Sequence, residues 1–241
     1  MSFGLSRGRD LDTAGIEIPA ASLPPLPDDL LTRPDAGHLD IRAWFAHPER
    51  ALELEIGSGK GTFLIQQAPL CPTVNYVGIE YAREFFDYAA DRLRRAAVRN
   101  VRMLCTDASE FIHWRVPDAC LQVLHVYFPD PWPKLRHHRR RMIQDRFLHD
   151  ARRILAPAGE LRVVTDHDDY WAWMEEHFRR FAAPPGERLG EPGVLFDRLP
   201  FDRAASAREG ELVGSNFERK YRVEGRSFNG AVLRSRAPAP R

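Results

Sequence analysis

The stretch Glu55-Ile56-Gly57-Ser58-Gly59-Lys60-Gly61 separates an apolar run, residues 52–56, from a helical pattern that begins at Thr62. Glycines at such a place let the backbone turn sharply and let a ligand approach the main chain. A strand, a glycine turn and a helix in this order form the opening unit of a doubly wound α/β sheet. The stretch therefore predicts a ligand-binding loop at the carboxyl end of the first strand.

Strand and helix patterns alternate beyond this loop. We predict strands at residues 52–56, 75–80, 101–105, 121–127 and 161–165, and helices at 62–68, 83–97, 141–155 and 168–181. Two late apolar runs, at 194–196 and 231–233, are candidates for the last strands. The alternation predicts an α/β fold: a doubly wound, mostly parallel, seven-stranded Rossmann-like sheet with helices on both faces.

The chain of 241 residues is expected to divide into an arm and one domain. Residues 1–50 are rich in proline and predict a partly irregular N-terminal arm with one short helix near 41–46, whereas residues 51–241 predict the domain. No run approaches the roughly 18 apolar residues that cross a bilayer, so no membrane segment is expected. The absence of a C-x-x-C motif and of an apolar leader indicates a cytoplasmic protein.

Acidic residues close the successive predicted strands. They are Glu55, Glu80, Asp107, Asp130 and Asp166. Because ligands of such sheets bind outside the carboxyl ends of the strands, we expect these acids to lie along one edge. A negatively charged edge favours a cationic ligand.

Three ligands compete for the glycine loop. A phosphate-binding P-loop requires a glycine where Leu54 stands, and Glu55 would place negative charge at the mouth of the phosphate nest. A dinucleotide motif would need its third glycine at Thr62. S-adenosyl-L-methionine has no phosphate and carries a sulfonium and an ammonium, which acidic groups attract. Glu80, 21 residues beyond Gly59, suits the ribose hydroxyls, and Asp107 suits the adenine amine.

The fourth predicted strand leads into Tyr127-Phe128-Pro129-Asp130-Pro131-Trp132-Pro133-Lys134 and then a basic run, Leu135 to Arg141. Its three prolines fix φ and hold Asp130 in place. Between Trp132 and Arg153 there are eight Lys or Arg residues against two acids, although the net charge of the whole chain is +1. This local excess predicts a polyanionic partner.

The pattern F-P-D-P-W-x-K-x-R-H-x-x-R-R, from Phe128 through Arg141, resembles the signature of the bacterial tRNA (guanine-N7-)-methyltransferase family. The segments 55–61, 78–80, 165–166 and 215–221 also occur in the order of that family. The resemblance implies transfer of a methyl group from S-adenosyl-L-methionine to N7 of the variable-loop guanosine, position 46, of tRNA. The domain of residues 51–241 would then be a methyltransferase domain.

The resemblance also implies roles for individual residues. Contacts with the methyl donor are implied for Glu55, Glu80, Asp107 and Asp130, to which the glycine loop adds Gly57, Gly59 and Gly61. Substrate contacts are implied for Lys134, Asp166, Ser215, Asn216, Phe217 and Glu218. RNA contacts are implied along Arg136, His137, His138, Arg139, Arg140 and Arg141.

The chemistry of guanine N7 agrees with these residue types. N7 carries a free lone pair, so catalysis consists mainly of alignment, and Asp130 or Asp166 could accept from guanine N1–H and N2–H. Asp130 is therefore the candidate catalytic residue. The paired histidines flanked by arginines are typical of a solvated basic face, so no metal site is expected.

Three other functions stay open. A nucleotide kinase would bind ATP and no methyl donor, and a non-catalytic RNA-binding module would keep the basic run without the acids. A methyltransferase acting on another RNA base or amine is the main alternative, although Asp130-Pro131-Trp132 only partly resembles the loop of amine methyltransferases. The sequence predicts tRNA as partner and does not distinguish a monomer from a homodimer.

Overall fold

The computed structural model describes residues 4–6, 8–188, 191 and 193–236. Its strands are β1 Ala51–Ile56, β2 Val74–Glu80, β3 Val101–Cys105, β4 Leu121–Tyr127, β5 Leu155–Thr165, β6 Ala182–Ala183, β7 Phe196–Leu199 and β8 Asn229–Ser235. Its α-helices are α1 Thr62–Leu70, α2 Arg83–Arg95, α3 Ala108–Trp114, α4 Asp145–Ile154, α5 Asp168–Phe181 and α6 Asn216–Val223. Short 3₁₀ helices span Ala20–Ser22, Pro34–Gly37, Ile41–Trp44 and Leu135–Arg140.

The described strands form one sheet with the order β3-β2-β1-β4-β5-β8-β7-β6. Strands β1 to β5 pair in parallel, and β8 lies antiparallel to both β5 and β7. The strand order reverses between β1 and β4, where such sheets leave a crevice at their carboxyl ends. The predicted doubly wound α/β fold is confirmed. The sheet has eight strands and not seven, since β6, with two residues, is too short to leave a sequence pattern.

Alternation along the strands supplies both faces of the sheet with apolar side chains. In β2, Val77 and Ile79 belong to one buried cluster, while Tyr76 belongs to another. Helices cover both faces because a parallel sheet must bury both of them. The core therefore fixes the strand ends, and with them the residues that follow each strand.

Several elements differ from the sequence prediction. The helix predicted at 141–155 is α4, residues 145–154, and a separate 3₁₀ helix precedes it. The helices α3 and α6 were not predicted. Both are short, and each begins at a capping side chain, Asp107 or Ser215, that accepts a hydrogen bond from the first helical turn.

The described part of the N-terminal arm packs against the sheet. Ile16 and Ile18 both bond to Met103 of edge strand β3. Met103 N donates to Ile16 O at 2.8 Å, and Ile18 N donates to Met103 O at 2.8 Å. Ile41 is fully buried in the 3₁₀ helix that corresponds to the predicted short helix near 41–46. The arm thus covers an edge that would otherwise be open for pairing.

Within the described part of the chain, none of the helices combines the length and apolar character that crossing a lipid bilayer requires.

Candidate active site

A cavity of about 760 Å³ opens at the carboxyl ends of β1, β2 and β4. It lies where the strand order reverses, as expected for a ligand site in this type of sheet. The predicted site residues on its walls are Gly57, Gly59, Glu80, Asp107, Asp130, Arg139, Arg140, Arg141 and Phe217. Three of the five strand-end acids and part of the basic run therefore meet around one space.

The glycine loop takes a backbone path that favours glycine. Gly57, Gly59 and Gly61 have φ of 74°, 52° and 66°, in the left-handed region. Gly57 and Gly59 line the cavity. Gly61 serves packing, because a Cβ there would lie 3.0 Å from the Cβ of Ala89 in α2. Of the three predicted glycines, two face the ligand space and one brings α1 against α2.

Glu55 is not part of the cavity wall but precedes Ile56, which is, and it is buried with 4% of its surface exposed. Its Oε2 atom and the hydroxyl of Ser58 are buried without a hydrogen-bond partner in the described structure. Burial raises the pKa of Glu55 to about 8, the nearby Ser58 hydroxyl opposes this shift, and the charge of Glu80 adds to it. Buried polar atoms without partners are rare in folded proteins. The ammonium group of a bound ligand is a partner of suitable charge.

Glu80 and Asp107 are held by backbone amides at the ends of β2 and β3. Glu80 accepts from Gly59 N at 2.8 Å through Oε2 and from Ala82 N at 2.9 Å through Oε1. Asp107 accepts from Ser109 N at 2.8 Å through Oδ1. A carboxylate has about four acceptor positions, so both groups retain capacity for hydroxyl or amine donors.

The loop after β4 has an unusual backbone conformation on both sides of Asp130. Phe128 and Trp132, on either side of it, have φ of 55° and 43°, values that side-chain-bearing residues seldom adopt. The loop is tied back to β5 by Phe128 N, which donates to Val164 O at 2.7 Å. The Asp130 side chain is exposed and lines the cavity. This geometry presents a carboxylate opposite the glycine loop.

The basic run divides into exposed and packed side chains. Lys134, Arg136, Arg139 and Arg140 are exposed, and the Arg140 guanidinium lies 5.0 Å from the centre of the Trp132 ring. The ring of His137 packs on Trp132 at 5.8 Å, and that of His138 packs on Trp173 at 5.6 Å. The exposed members form a positive surface beside the cavity, which we call the basic rim (Lys134, Arg136, Arg139 and Arg140).

Arg141 does not belong to this rim, although the resemblance implied an RNA contact for it. It is 1% exposed, and its Nε atom donates to the Pro131 carbonyl at 2.9 Å. Its Nη2 atom donates to Asp169 at the start of α5. The burial places this guanidinium inside the protein, where it supports the Asp130 loop.

The segment 215–218 also divides by position. Ser215 caps α6, and Glu218 is fully buried and accepts from the backbone amides of residues 212, 213 and 214. Both side chains hold the local chain path. Asn216 is exposed, and Phe217 lines the cavity with its ring 6.4 Å from that of Phe128.

Asp166 lies apart from the cavity wall. Arg226 Nη1 donates to its Oδ2 atom at 2.6 Å. Of the two carboxylates considered for the guanine, Asp130 lines the cavity, whereas Asp166 belongs to an ion pair with Arg226 in the chain that follows α6.

Some residues of the cavity wall were not predicted as site residues. Tyr81, 76% exposed, follows Glu80 directly, and its place after a strand-ending acid could have identified it. Arg146 and Asp150 reach the cavity from α4, and no sequence signal separates them from an ordinary helix surface. Within the described ranges, no group of three or more His, Cys, Asp or Glu residues is arranged to hold a metal ion.

Residues 49–185 match a protein family described as "Putative methyltransferase". The chain is 38% identical to the tRNA (guanine-N(7)-)-methyltransferase of Rhodospirillum rubrum over 175 residues, 73% of this chain and 68% of that protein. It is 38% identical to the protein of the same name from Corynebacterium diphtheriae over 200 residues, 83% of this chain and 73% of that protein. For the Rhodopseudomonas palustris protein of that name, the identity is 36% over 178 residues, 74% and 70% of the two chains.

Two solved methyltransferase structures share the fold. The 16S rRNA methyltransferase KamB superposes with a TM-score of 0.53 at 12% identity, covering 89% of this chain and 96% of that chain. The aminoglycoside resistance methyltransferase NpmB1 superposes with a TM-score of 0.50 at 16% identity, covering 90% and 98%. At these identities the likeness concerns the fold alone.

Proposed function

The chain belongs to the tRNA (guanine-N(7)-)-methyltransferase family, and from this membership we propose that it methylates N7 of the variable-loop guanosine, position 46, of tRNA. The methyl donor is S-adenosyl-L-methionine. One observation carries the proposal: a single cavity brings Glu80, Asp107 and Asp130 together with Arg139 and Arg140 of the basic rim. Acids suit a cationic donor, and exposed cations beside them suit the RNA backbone.

The donor side of the cavity fits S-adenosyl-L-methionine, which when bound supplies an electrophilic methyl group on a sulfonium. Glu80 has acceptor capacity for ribose hydroxyls, and Asp107 has capacity for the adenine amine. Glu55 offers a buried carboxylate oxygen without a partner to the amino-acid ammonium. Gly57 and Gly59 leave the loop without side chains where the ligand approaches.

The acceptor side of the cavity fits a guanine. N7 needs no deprotonation before it attacks, so the protein acts by orienting the base and by stabilising the positive charge that develops on the ring. We assign this role to Asp130, because its carboxylate can accept from guanine N1–H and N2–H while N7 stays free. Asp166, paired with Arg226 away from the cavity wall, is the less suitable of the two.

The basic rim is proposed to hold the tRNA backbone. Its four side chains are exposed, and Arg139 and Arg140 reach the wall of the cavity. Contacts of this kind fix the register of the RNA without reading its sequence. The choice of nucleotide would then rest on the cavity, and the affinity on the rim.

The test uses two tRNA transcripts that differ only at position 46, guanosine or adenosine, with labelled S-adenosyl-L-methionine. We expect label in the guanosine transcript, strand cleavage at 7-methylguanosine at that position, and no label in the adenosine transcript. Asp130→Asn should abolish transfer, and Glu176→Gln, an exposed change on α5, should retain it. Equal label in both transcripts would instead support methylation of another base.

A further inference from the structure

Arg141 is a buried cation placed between the Asp130 loop and α5. With 1% exposure it is the largest of the fully buried side chains described, and it lies on the cavity wall. A buried guanidinium persists only where acceptors and aromatic faces replace its water. The groups that contact the Arg141 guanidinium therefore indicate which part of the structure it stabilises.

The guanidinium joins two elements that are far apart in the sequence. Nε donates to the Pro131 carbonyl at 2.9 Å, and Nη2 donates to Asp169 in the first turn of α5. The rings of Tyr170 and Trp173, also in α5, lie 5.0 and 5.3 Å from the guanidinium carbon. A planar fork can make both hydrogen bonds in fixed directions, which an ammonium on a flexible stem cannot.

The backbone next to Arg141 is also bonded to α5, through Ile143. The Tyr170 hydroxyl accepts from Ile143 N at 3.1 Å, and the Trp173 indole N–H donates to the Ile143 carbonyl at 2.7 Å. The backbone that carries Arg141 is therefore docked on α5 independently of the guanidinium. The arginine then extends this anchoring to Pro131, the residue directly after Asp130.

The Asp130 loop requires such an anchor. Phe128 and Trp132 both have positive φ, and conformations of this kind persist only where the surrounding structure holds them. Phe128 is held from β5 by its hydrogen bond to Val164, and the Pro131 carbonyl is held by Arg141. Loss of the hydrogen bond from Arg141 to Pro131 leaves the Trp132 side of the loop without its hydrogen bond to the core.

We propose that Arg141 is a positioning residue for methyl transfer, which sets the place of the Asp130 carboxylate by anchoring the Pro131 carbonyl to α5. The inference rests on the proposed function for its catalytic consequence and on the geometry for its structural one. It separates Arg141 from its neighbours in the basic run, which act on RNA from outside.

The same helix provides a matched control. Arg198 of β7 lies with its guanidinium carbon 5.6 Å from the Trp171 ring and 5.0 Å from the Phe178 ring, and it donates to Glu175 at 2.6 Å. It has the same combination of two aromatic rings and one acid. It lies outside the cavity wall and makes no contact with the Asp130 loop.

The experiment compares Arg141→Gln, Arg141→Lys and Arg198→Gln in the full chain. Displacement of a reacting group by about 1 Å costs about a hundredfold in rate, so we expect Arg141→Gln to lower kcat about a hundredfold. The tRNA KM and its salt dependence should stay within about threefold, since no phosphate contact is lost. Arg141→Lys should keep more of the thermal stability than Arg141→Gln while recovering little of kcat. Arg198→Gln should lower the melting temperature and keep kcat.

Amide hydrogen exchange of Asp130, Trp132 and Lys134 gives a readout without catalysis. It should be faster in both Arg141 variants than in the wild type and unchanged in Arg198→Gln. Unchanged exchange and kcat in Arg141→Gln would overturn the inference, as would a raised tRNA KM with a lower salt slope. A wild type that binds the donor and leaves tRNA unmethylated would overturn the proposed function, while the exchange rates still decide the anchoring.

Discussion

The backbone N–H of Gly59 donates a 2.8 Å hydrogen bond to Oε2 of Glu80, 21 residues further along the chain. The loop after β1 is thereby tied to the residue that ends β2. One carboxylate both fixes the path of the glycine loop and presents acceptor positions to the cavity. Loop and ligand thus depend on the same side chain.

We expect Glu80→Ala to weaken binding of S-adenosyl-L-methionine by about 10- to 100-fold. The change removes the acceptor of ribose hydroxyls, and hydrogen bonds to charged groups contribute about 1.5–3 kcal/mol. Calorimetric titration with the donor measures the effect. Glu176→Gln, on the exposed face of α5, serves as control and should bind the donor as the wild type does. Unaltered affinity in Glu80→Ala would remove Glu80 from the donor site.

Glu55→Gln should raise stability at alkaline pH and weaken donor binding. The pKa of Glu55 is about 8 in the folded chain against 4.5 ordinarily, so between these values the folded state holds a proton that the unfolded state lacks. Stability therefore falls as pH rises from about 4.5 to about 8, and the amide removes this loss. We expect the variant to be more stable by several kcal/mol at pH 9, with about 5 kcal/mol as the upper limit set by the pKa difference, and equal near pH 4.

Thermal unfolding of both proteins without ligand, from pH 4 to pH 9, measures this difference. A constant gap between the two melting curves across the range would contradict the assignment, because it would show that Glu55 does not titrate differently in the folded chain. Near pH 8, where about half of Glu55 is ionised, the glutamine should also lower donor affinity, since it has no ionised form for the ammonium to stabilise. Glu55 is thus expected to lower the stability of the folded chain while it strengthens donor binding.

Replacing Arg136 and Arg139 together by glutamine should weaken tRNA binding and reduce its salt dependence. Each lost phosphate contact lowers the slope of log K against log salt by about 0.7–0.9, so a decrease of about 1.4–1.8 is expected. Arg140 is left in place because it packs on Trp132 and its loss would also disturb the Asp130 loop. Filter binding across a salt series provides the slopes.

The control for that pair is Arg179→Gln, which removes an exposed charge from α5 outside the cavity wall. It should leave the slope unchanged. If the double variant kept the wild-type slope, the basic rim would have no backbone contact, and the proposed path of the tRNA would have to change.

The sequence was sufficient for the main strands of the sheet and for three of the five acids predicted along its edge. Each strand end is fixed by a buried apolar run, so the sequence places Glu80, Asp107 and Asp130 on one edge. The helices α3 and α6 have seven and eight residues and carry too few turns for a clear helical period. Short elements of this kind are defined by their caps and tertiary packing.

The distinction between exposed and buried charges could not be predicted. Arg141 follows two exposed arginines and looks identical to them in the sequence, yet its partners in α5 lie 28 or more residues further along the chain. Glu218 likewise stands in a segment associated with the substrate, while its carboxylate faces its own backbone. Burial of a charge depends on which distant elements fold over it, and a local pattern does not contain that information.

Glu218→Gln is therefore expected to act on stability before it acts on catalysis. The carboxylate is fully buried and accepts from the amides of Leu212, Val213 and Gly214, and an amide side chain has one oxygen for the three donors. Leaving buried donors unpaired should lower the free energy of unfolding by about 2–4 kcal/mol. Ser215→Ala, which removes only the cap of α6, should cost about 1 kcal/mol. Chemical denaturation gives both values, and kcat measured well below the melting temperature should fall less than tenfold in Glu218→Gln. A stable variant with a far larger loss of kcat would mean that Glu218 turns toward the substrate when tRNA binds.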